Sequence, residues 1–353
     1  MTRPASALVE AVQMNCHIAD ATHAQDLSLC TFLLQMREFH RWERGLPLDA
    51  PLARSEIGAW IARREALWAQ LEGREFLRLP GAAGAGLDAF DADRLNAELL
   101  PQGSVYGAGW AGADRPGFFV AELEELREVD DGLVVQVCGR EWARGLFAPP
   151  AALVGDTIVL RRESMARWLW EKFEVFGLKR AEGPFKAVAE AYELERDFRA
   201  GLPRMLDEQG ETLILHEIGE HRVGRRLGPA WAAMRLDLQD RRADLHVRAV
   251  RDQLADLTTT LPALLERGAA TAIHFWFAGY DGIRETLFPG LKQAYRDWCG
   301  GDDGASLRRA CTIGEAHFMP LAEQVLALHA ERGDQAGAAI AALLASPPAV
   351  CRP

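Results

Sequence analysis

The sequence predicts a predominantly α-helical protein with a small β insertion, an α+β chain whose C-terminal part is bundle-like. Three observations carry that expectation. Apolar residues recur at spacings of three and four through most of the chain, the mark of helices that bury one face. One stretch, roughly residues 104–161, changes to β-rich runs punctuated by Gly, Asp and Pro. Of the 353 residues, 49% are hydrophobic and 26% charged, which is ordinary globular composition and excludes wholesale disorder. The expected divisions are an N-terminal helical region (1–103), a β-hairpin-containing module (104–161) and a C-terminal helical domain (162–353).

The first thirty residues lack a continuous apolar segment of the secretory kind. Within them His17, Asp20, His23 and Asp26 form a polar run that reads as loop. From Asp26 to Arg44 the pattern turns helical, with Leu29, Phe32, Leu33, Met36, Phe39 and His40 on one side and Gly45 ending it. Ser55 is the expected cap of a second helix carrying Ile57, Trp60, Ile61, Trp68 and Leu71. A Gly/Ala connector follows at 80–86, then a short helix from Phe90 to Leu100. Two β-rich runs, from Gly117 and from Leu133, flank Asp130-Asp131-Gly132 and predict a hairpin. Thr157–Leu160 offers one more strand. Helices return from Ser164: an aromatic one through Phe176, one with Val188 and Tyr192, and one from about Pro203 past His221. Further helices are expected over Trp231–Leu257, Ala269–Phe288 and Ser306–Leu344.

Charge narrows the partners. Basic residues number 40 against 51 acidic, a net charge of -11, which is the wrong sign for a general nucleic-acid binder. No stretch approaches the ~18 apolar residues of a membrane-spanning helix. The expectation is a cytoplasmic protein acting on a small-molecule substrate, with no nucleic-acid or membrane partner. Only four of the 40 basic residues are lysines, the imprint of a GC-rich genome, so arginine clusters weigh less than usual. The six cysteines are scattered with no C-x-x-C pair, which excludes a zinc ribbon and reads as reduced thiols.

The densest polar cluster in an apolar setting is Leu213-Ile-Leu-His216-Glu217-Ile-Gly-Glu220-His221. With His216 at 0°, Glu220 falls at about 40°, Glu217 at about 100° and His221 at about 140° around a helix. All four share one side, and both His216/Glu220 and Glu217/His221 are one turn apart. These are donor types that iron, manganese and zinc accept. The alternative is a solvated charged face. Against it stands the apolar Leu213–Leu215 one turn upstream. A second candidate is the aromatic run holding His274, Asp281 and Glu285, which on one continuous helix form a stripe. His274 and Asp281 would be ~10 Å apart along it, so only Asp281 and Glu285 could share an ion. Their alternative role is pairing with arginines such as Arg284. No G-x-G-x-x-G opening a helix, P-loop or G-x-S-x-G occurs.

Three resemblances add to this reading. Residues 216–221, H-E-I-G-E-H, resemble the H-E-x-x-H of zinc peptidases, but the second histidine stands at i+5 rather than i+4. The run Leu27-Ser-Leu-Cys-Thr-Phe-Leu-Leu-Gln-Met-Arg-Glu-Phe-His-Arg-Trp-Glu43 resembles the opening of an uncharacterised family of bacterial proteins. In architecture the chain is similar to helical carboxylate/histidine metalloproteins, in which Glu and His from facing helices converge on metal in a bundle core.

The expectation is therefore a non-haem metal-binding enzyme, akin to iron-dependent oxidoreductases. Glu217 and His221 would be ligands, Glu220 would bridge or orient, and His216 would stand at the edge. His274 or the Asp281/Glu285 pair would approach from a facing helix. The alternatives are a non-catalytic helical protein with a buried polar network, and a divergent zinc-dependent hydrolase.

Overall fold

The computed structural model describes residues 4–81, 86–111, 115–129, 132–179 and 182–352. It confirms the α+β class with a helical C-terminal part. By packing, the chain divides into Met1–Lys172 and Phe173–Pro353. Among the described residues no helix is long and apolar enough to cross a membrane.

The N-terminal unit is built around a helix that the sequence reading treated as loop. Helix α1 (Ser6–His23) buries Leu8, Val9, Val12, Cys16 and Ala19 on one side and Ile18 and Ala21 on the other. Its polar residues are buried with specific partners, which is why periodicity did not reveal it. Asn15 both donates to the Leu77 carbonyl and accepts the Leu77 N–H. His17 lies 2.7 Å from an Arg64 nitrogen, and burial with that cation lowers its pKa to about 4. Asp20 accepts the Leu146 N–H with both oxygens.

Against α1 pack α2 (Leu29–Glu43) and α3 (Arg54–Leu71), through Met36, Phe39, Trp60 and Trp68. Ser28 caps α2 by accepting the Thr31 N–H. Ser55 is not a cap: α3 begins at Arg54 after Ala53. Strands β1 (Leu79–Pro80) and β2 (Gly86–Leu87) pair at the ends of the Gly/Ala connector, whose residues 82–85 lie outside the described ones. Helix α4 (Ala92–Leu99) follows.

The other face of α1 meets a five-stranded sheet. Strands β3 (Ser104–Ala111), β4 (Arg115–Val129), β5 (Leu133–Arg144), β6 (Ala151–Val154) and β7 (Thr157–Arg161) lie in the order β3-β4-β5-β7-β6. All neighbours are antiparallel except β5 and β7. The expected hairpin is β4–β5, although Asp130 and Asp131 of its turn lie outside the described residues. Register shifts interrupt its ladder between Val120 and Glu125. On the β5 side of that irregularity stands Glu141. It receives Arg161 at 3.1 and 2.7 Å and the Ser164 hydroxyl at 2.5 Å, and Arg144 stands 3.7 Å off. Ser164 belongs to α5 (Arg162–Lys179).

The C-terminal unit is all helix in its described residues. After α6 (Pro184–Ala191) come the long α7 (Phe198–Leu227), α8 (Pro229–Asp237) and α9 (Arg241–Ala255). A π-helical turn (Asp256–Thr260) leads into α10 (Leu261–Glu266), then α11 (Ala270–Ala278), α12 (Gly282–Leu287) and α13 (Gly290–Cys299). Helices α14 (Ala305–Arg332) and α15 (Gly337–Leu344) close it. One apolar core joins them, with Val247, Val250 and Leu254 of α9 against Phe318, Ala322 and Val325 of α14.

Two single helices of the sequence reading are broken. Trp231–Leu257 divides after Asp237, and Asp240 caps α9 by accepting the Arg242 and Ala243 N–H groups. Ala269–Phe288 divides at Gly279–Asp281, where the Tyr280 hydroxyl sits among the Gln253 amide and the Arg284 and Phe288 carbonyls. That knot of hydrogen bonds ends α11 and restarts the chain as α12.

Candidate metal centre

The site grows out of α7. Asp197 accepts the Ala200 N–H and starts this helix five residues before Pro203, and Gly228, at φ 75°, ends it. The helix then presents His216 and Glu220 one turn apart to α9 and the π-helical turn, which present Asp252 and Asp256 one turn apart. The helices can meet so closely because residue 219 is glycine. A Cβ there would fall 2.6 Å from the Ala255 carbonyl oxygen. Pro262, two residues beyond the π turn, has no N–H to donate back to it, and such turns recur at functional sites.

His216 lies at the centre. Its Nδ1 is 2.8 Å from Asp256 Oδ1, and its Nε2 is 3.5 Å from Glu220 Oε1. Asp256 is wholly buried, and its second oxygen receives Arg284 at 2.9 Å. Arg284 in turn donates to the Gly279 carbonyl. Glu220 also receives Arg251, which stands 3.5 Å from Asp252. One donor atom from each of His216, Glu220 and Asp252 lies within 4.8 Å of the others, the cluster of metal-binding type among the described residues.

The charges are uneven. Burial would lower the His216 pKa, but Asp256 and Glu220 carry it well above the usual histidine value. Burial alone would raise Glu220, yet the His216 hydrogen bond and the Arg251 charge bring it down to about 2. Burial, with Glu220 alongside, pushes Glu217 up to about 7 and Asp252 up to about 6. Asp256 is held below the usual carboxylate range, against burial, by His216 and Arg284. Four carboxylates thus crowd against two guanidiniums and one imidazole.

This subset differs from the expected one. His216, expected at the edge, and Glu220, expected to orient, are the residues of α7 that join a partner helix. Glu217 and His221 lie further round the same helix, outside the three-residue cluster. The helix broken at residues 279–281 also scatters the second candidate. His274 Nδ1 lies 2.7 Å from the Tyr295 hydroxyl, and its ring packs on Trp298. Asp281 precedes the first residue of α12, and Glu285 pairs with Lys292 at 2.8 Å. Neither belongs to the cluster.

Asp252 and Asp256 were missed. They stand about 200–240° round the helix from Val250, opposite the apolar stripe, where an amphipathic pattern predicts solvent. Their i,i+4 spacing was the available signal.

Comparison with known proteins fits this two-part organisation. Curated proteins and solved structures gave no match to the chain. Two domain families do match, covering residues 7–161 and 166–347. Their boundary falls near the division seen in the packing. The chain therefore belongs to a family of unknown function, DUF6866, carrying its N-terminal domain followed by its C-terminal domain.

Proposed function

We propose that the C-terminal unit binds one divalent cation through His216, Glu220 and Asp252, and that the protein is a non-haem metal-dependent enzyme acting on a small molecule. The observation that carries this reading is the orientation of His216. Its Nδ1–H is taken by buried Asp256 while Nε2 turns toward Glu220. The ring is held as a cation here, so a metal would displace the Nε2 proton and leave the Nδ1–H tautomer that a carboxylate fixes in metal-ligating imidazoles. Donor atoms around one ion at ~2.0–2.2 Å bonds stand ~3–3.5 Å apart. The three donor atoms, within 4.8 Å of one another, need to close by only ~1–2 Å to reach that spacing. One imidazole and two carboxylates suit iron, manganese or zinc. Iron, with an oxidoreductase reaction, is the assignment we favour, because such an ion keeps open positions and supplies redox chemistry when bound. His221 stands outside the cluster, which weakens the zinc-hydrolase alternative. The free cysteines accord with a reducing, cytoplasmic setting.

A second reading has its own support. Arg251 on Glu220 and Arg284 on Asp256 could make a self-contained ionic network with no catalytic role. Elemental analysis of the purified protein separates the two. About one equivalent of metal per chain is expected, lost in His216→Ala and Asp252→Ala and kept in Glu285→Ala. A fully folded protein that takes up no iron, manganese or zinc refutes the centre.

A further inference from the structure

The cluster has a cationic neighbour that the metal reading does not use. Asp244, Arg248, Arg251 and Asp252 share one face of α9, within about 100° of arc. Arg235 of α8 leans onto that face. Its Nε is 3.9 Å from Asp244 Oδ1, while Arg248 reaches Asp244 Oδ2 at 2.8 Å. Arg251 lies on Glu220, the proposed ligand. The Nε groups of Arg235, Arg248 and Arg251 are all buried, and no acceptor meets them among the described residues. The side chains as a whole are partly open to solvent, 24%, 34% and 19% exposed. Arginine is abundant in this chain, so number alone means little. What matters is two forks on Asp244, those of Arg235 and Arg248, beside a third, Arg251, that lies on the candidate ligands Glu220 and Asp252.

The charges also respond to loading. A cation on Glu220 and Asp252 takes the two carboxylates that hold Arg251. Arg235 and Arg248, which share Asp244, and the released Arg251 then carry a surplus of positive charge and unused donors. Guanidinium forks match tetrahedral oxyanions in geometry, and a phosphate monoester offers three free oxygens to three arginines.

We propose that Arg235, Arg248 and Arg251 form the phosphate-binding half of the active site, so that the substrate is a phosphate-bearing small molecule held beside the cation. This rests on the metal reading for its position, though the arginine cluster can be tested by itself. Inorganic phosphate is titrated calorimetrically into the full-length protein, with and without Mn2+, and Mn2+ uptake is read separately by electron paramagnetic resonance. Saturable phosphate binding is expected, at least tenfold tighter with Mn2+, and matched by neither acetate nor oxalate. Arg235→Gln and Arg248→Gln should each weaken it at least tenfold with Mn2+ uptake unchanged. Arg235→Lys, which keeps the charge and loses the fork, should fall between. Phosphate binding that is absent in both states, or unchanged in the Gln variants, or equalled by oxalate, overturns the assignment. If Mn2+ does not bind but phosphate does, and Arg235→Gln abolishes it, the anion pocket stands and the metal reading falls.

Discussion

Each unit of this protein buries a cluster of charges, and the two are finished differently. In the N-terminal unit both oxygens of Glu141 receive hydrogen bonds, from Arg161 and Ser164, and Arg144 adds a second cation. Burial would raise this carboxyl, but the arginines hold it below its usual range. In the C-terminal unit four carboxylates share two guanidiniums and one imidazole, fewer cations per acid, and two of them are pushed toward neutrality, Glu217 and Asp252. A carboxylate whose oxygens are both taken has no capacity left for a cation; an acid-rich cluster does. Buried charge alone therefore marks no site. The imbalance does.

Removing a partner should expose that contrast most sharply. Glu141→Ala leaves Arg161 and Arg144 buried without their carboxylate, and breaking such a pair costs about 3–5 kcal/mol. Thermal unfolding should show the N-terminal unit melting well before the other. Asp252→Asn in metal-free protein should instead leave stability unchanged or raise it by about 1 kcal/mol, since it relieves crowding of like charges. Equal losses in the two variants would erase the distinction.

A pH series sharpens it next, through the buried N-terminal carboxylate that, among the described residues, is not served by a guanidinium hydrogen bond. Asp20 is held by the Leu146 N–H, and burial raises its pKa to about 7. For an acid whose folded value exceeds the unfolded value near 3.9, stability is fully present below the unfolded value. It is lost as pH rises through the folded one. Denaturant unfolding of the N-terminal unit should therefore weaken between about pH 4 and pH 7, on the order of 2–4 kcal/mol. Asp20→Asn should flatten that slope. A slope identical to that of the parent would mean that Asp20 is ionised in the fold.

The smallest effect should come from the helix contact behind the site. Gly219→Ala places a methyl 2.6 Å from the Ala255 carbonyl oxygen, a backbone atom that cannot swing aside, so α7 and α9 must part. Overpacking of this kind costs about 1–3 kcal/mol. Metal affinity should fall more than stability does, because Glu220 and Asp252 lie on opposite sides of the contact. A stability loss with metal affinity intact would show that the spacing is not what assembles the cluster.

Much of the fold was legible. The β-rich stretch, the long helix through His221 and the amphipathic C-terminal segments all follow from period and turn chemistry. Helix α1 was not, because Asn15, His17 and Asp20 are satisfied by residues 47 to 126 positions away, a fact no local window holds. The candidate site was half legible. His216 and Glu220 stood out by spacing inside an apolar segment. Asp252 and Asp256 did not, since a helix buried on two sides defeats a reading that assigns it a single inner face. The second candidate failed at Tyr280, whose tertiary hydrogen bonds end a helix that propensity would continue.

The π-helical turn at Asp256–Thr260 has one more consequence, and it concerns length rather than chemistry. A π turn is an α-helix with one residue too many, so here the chain carries a frame as well as a set of side chains. Excising a single residue inside the turn would restore the ordinary pitch with α10 left nearly in place, whereas excising one between Asp252 and Asp256 with the turn kept would rotate everything downstream by about 100° relative to α7. Arg284, which anchors Asp256 from α12, lies downstream of that point. A substitution in this segment alters one contact, whereas a one-residue deletion ahead of the turn carries the whole far wall of the cluster out of register.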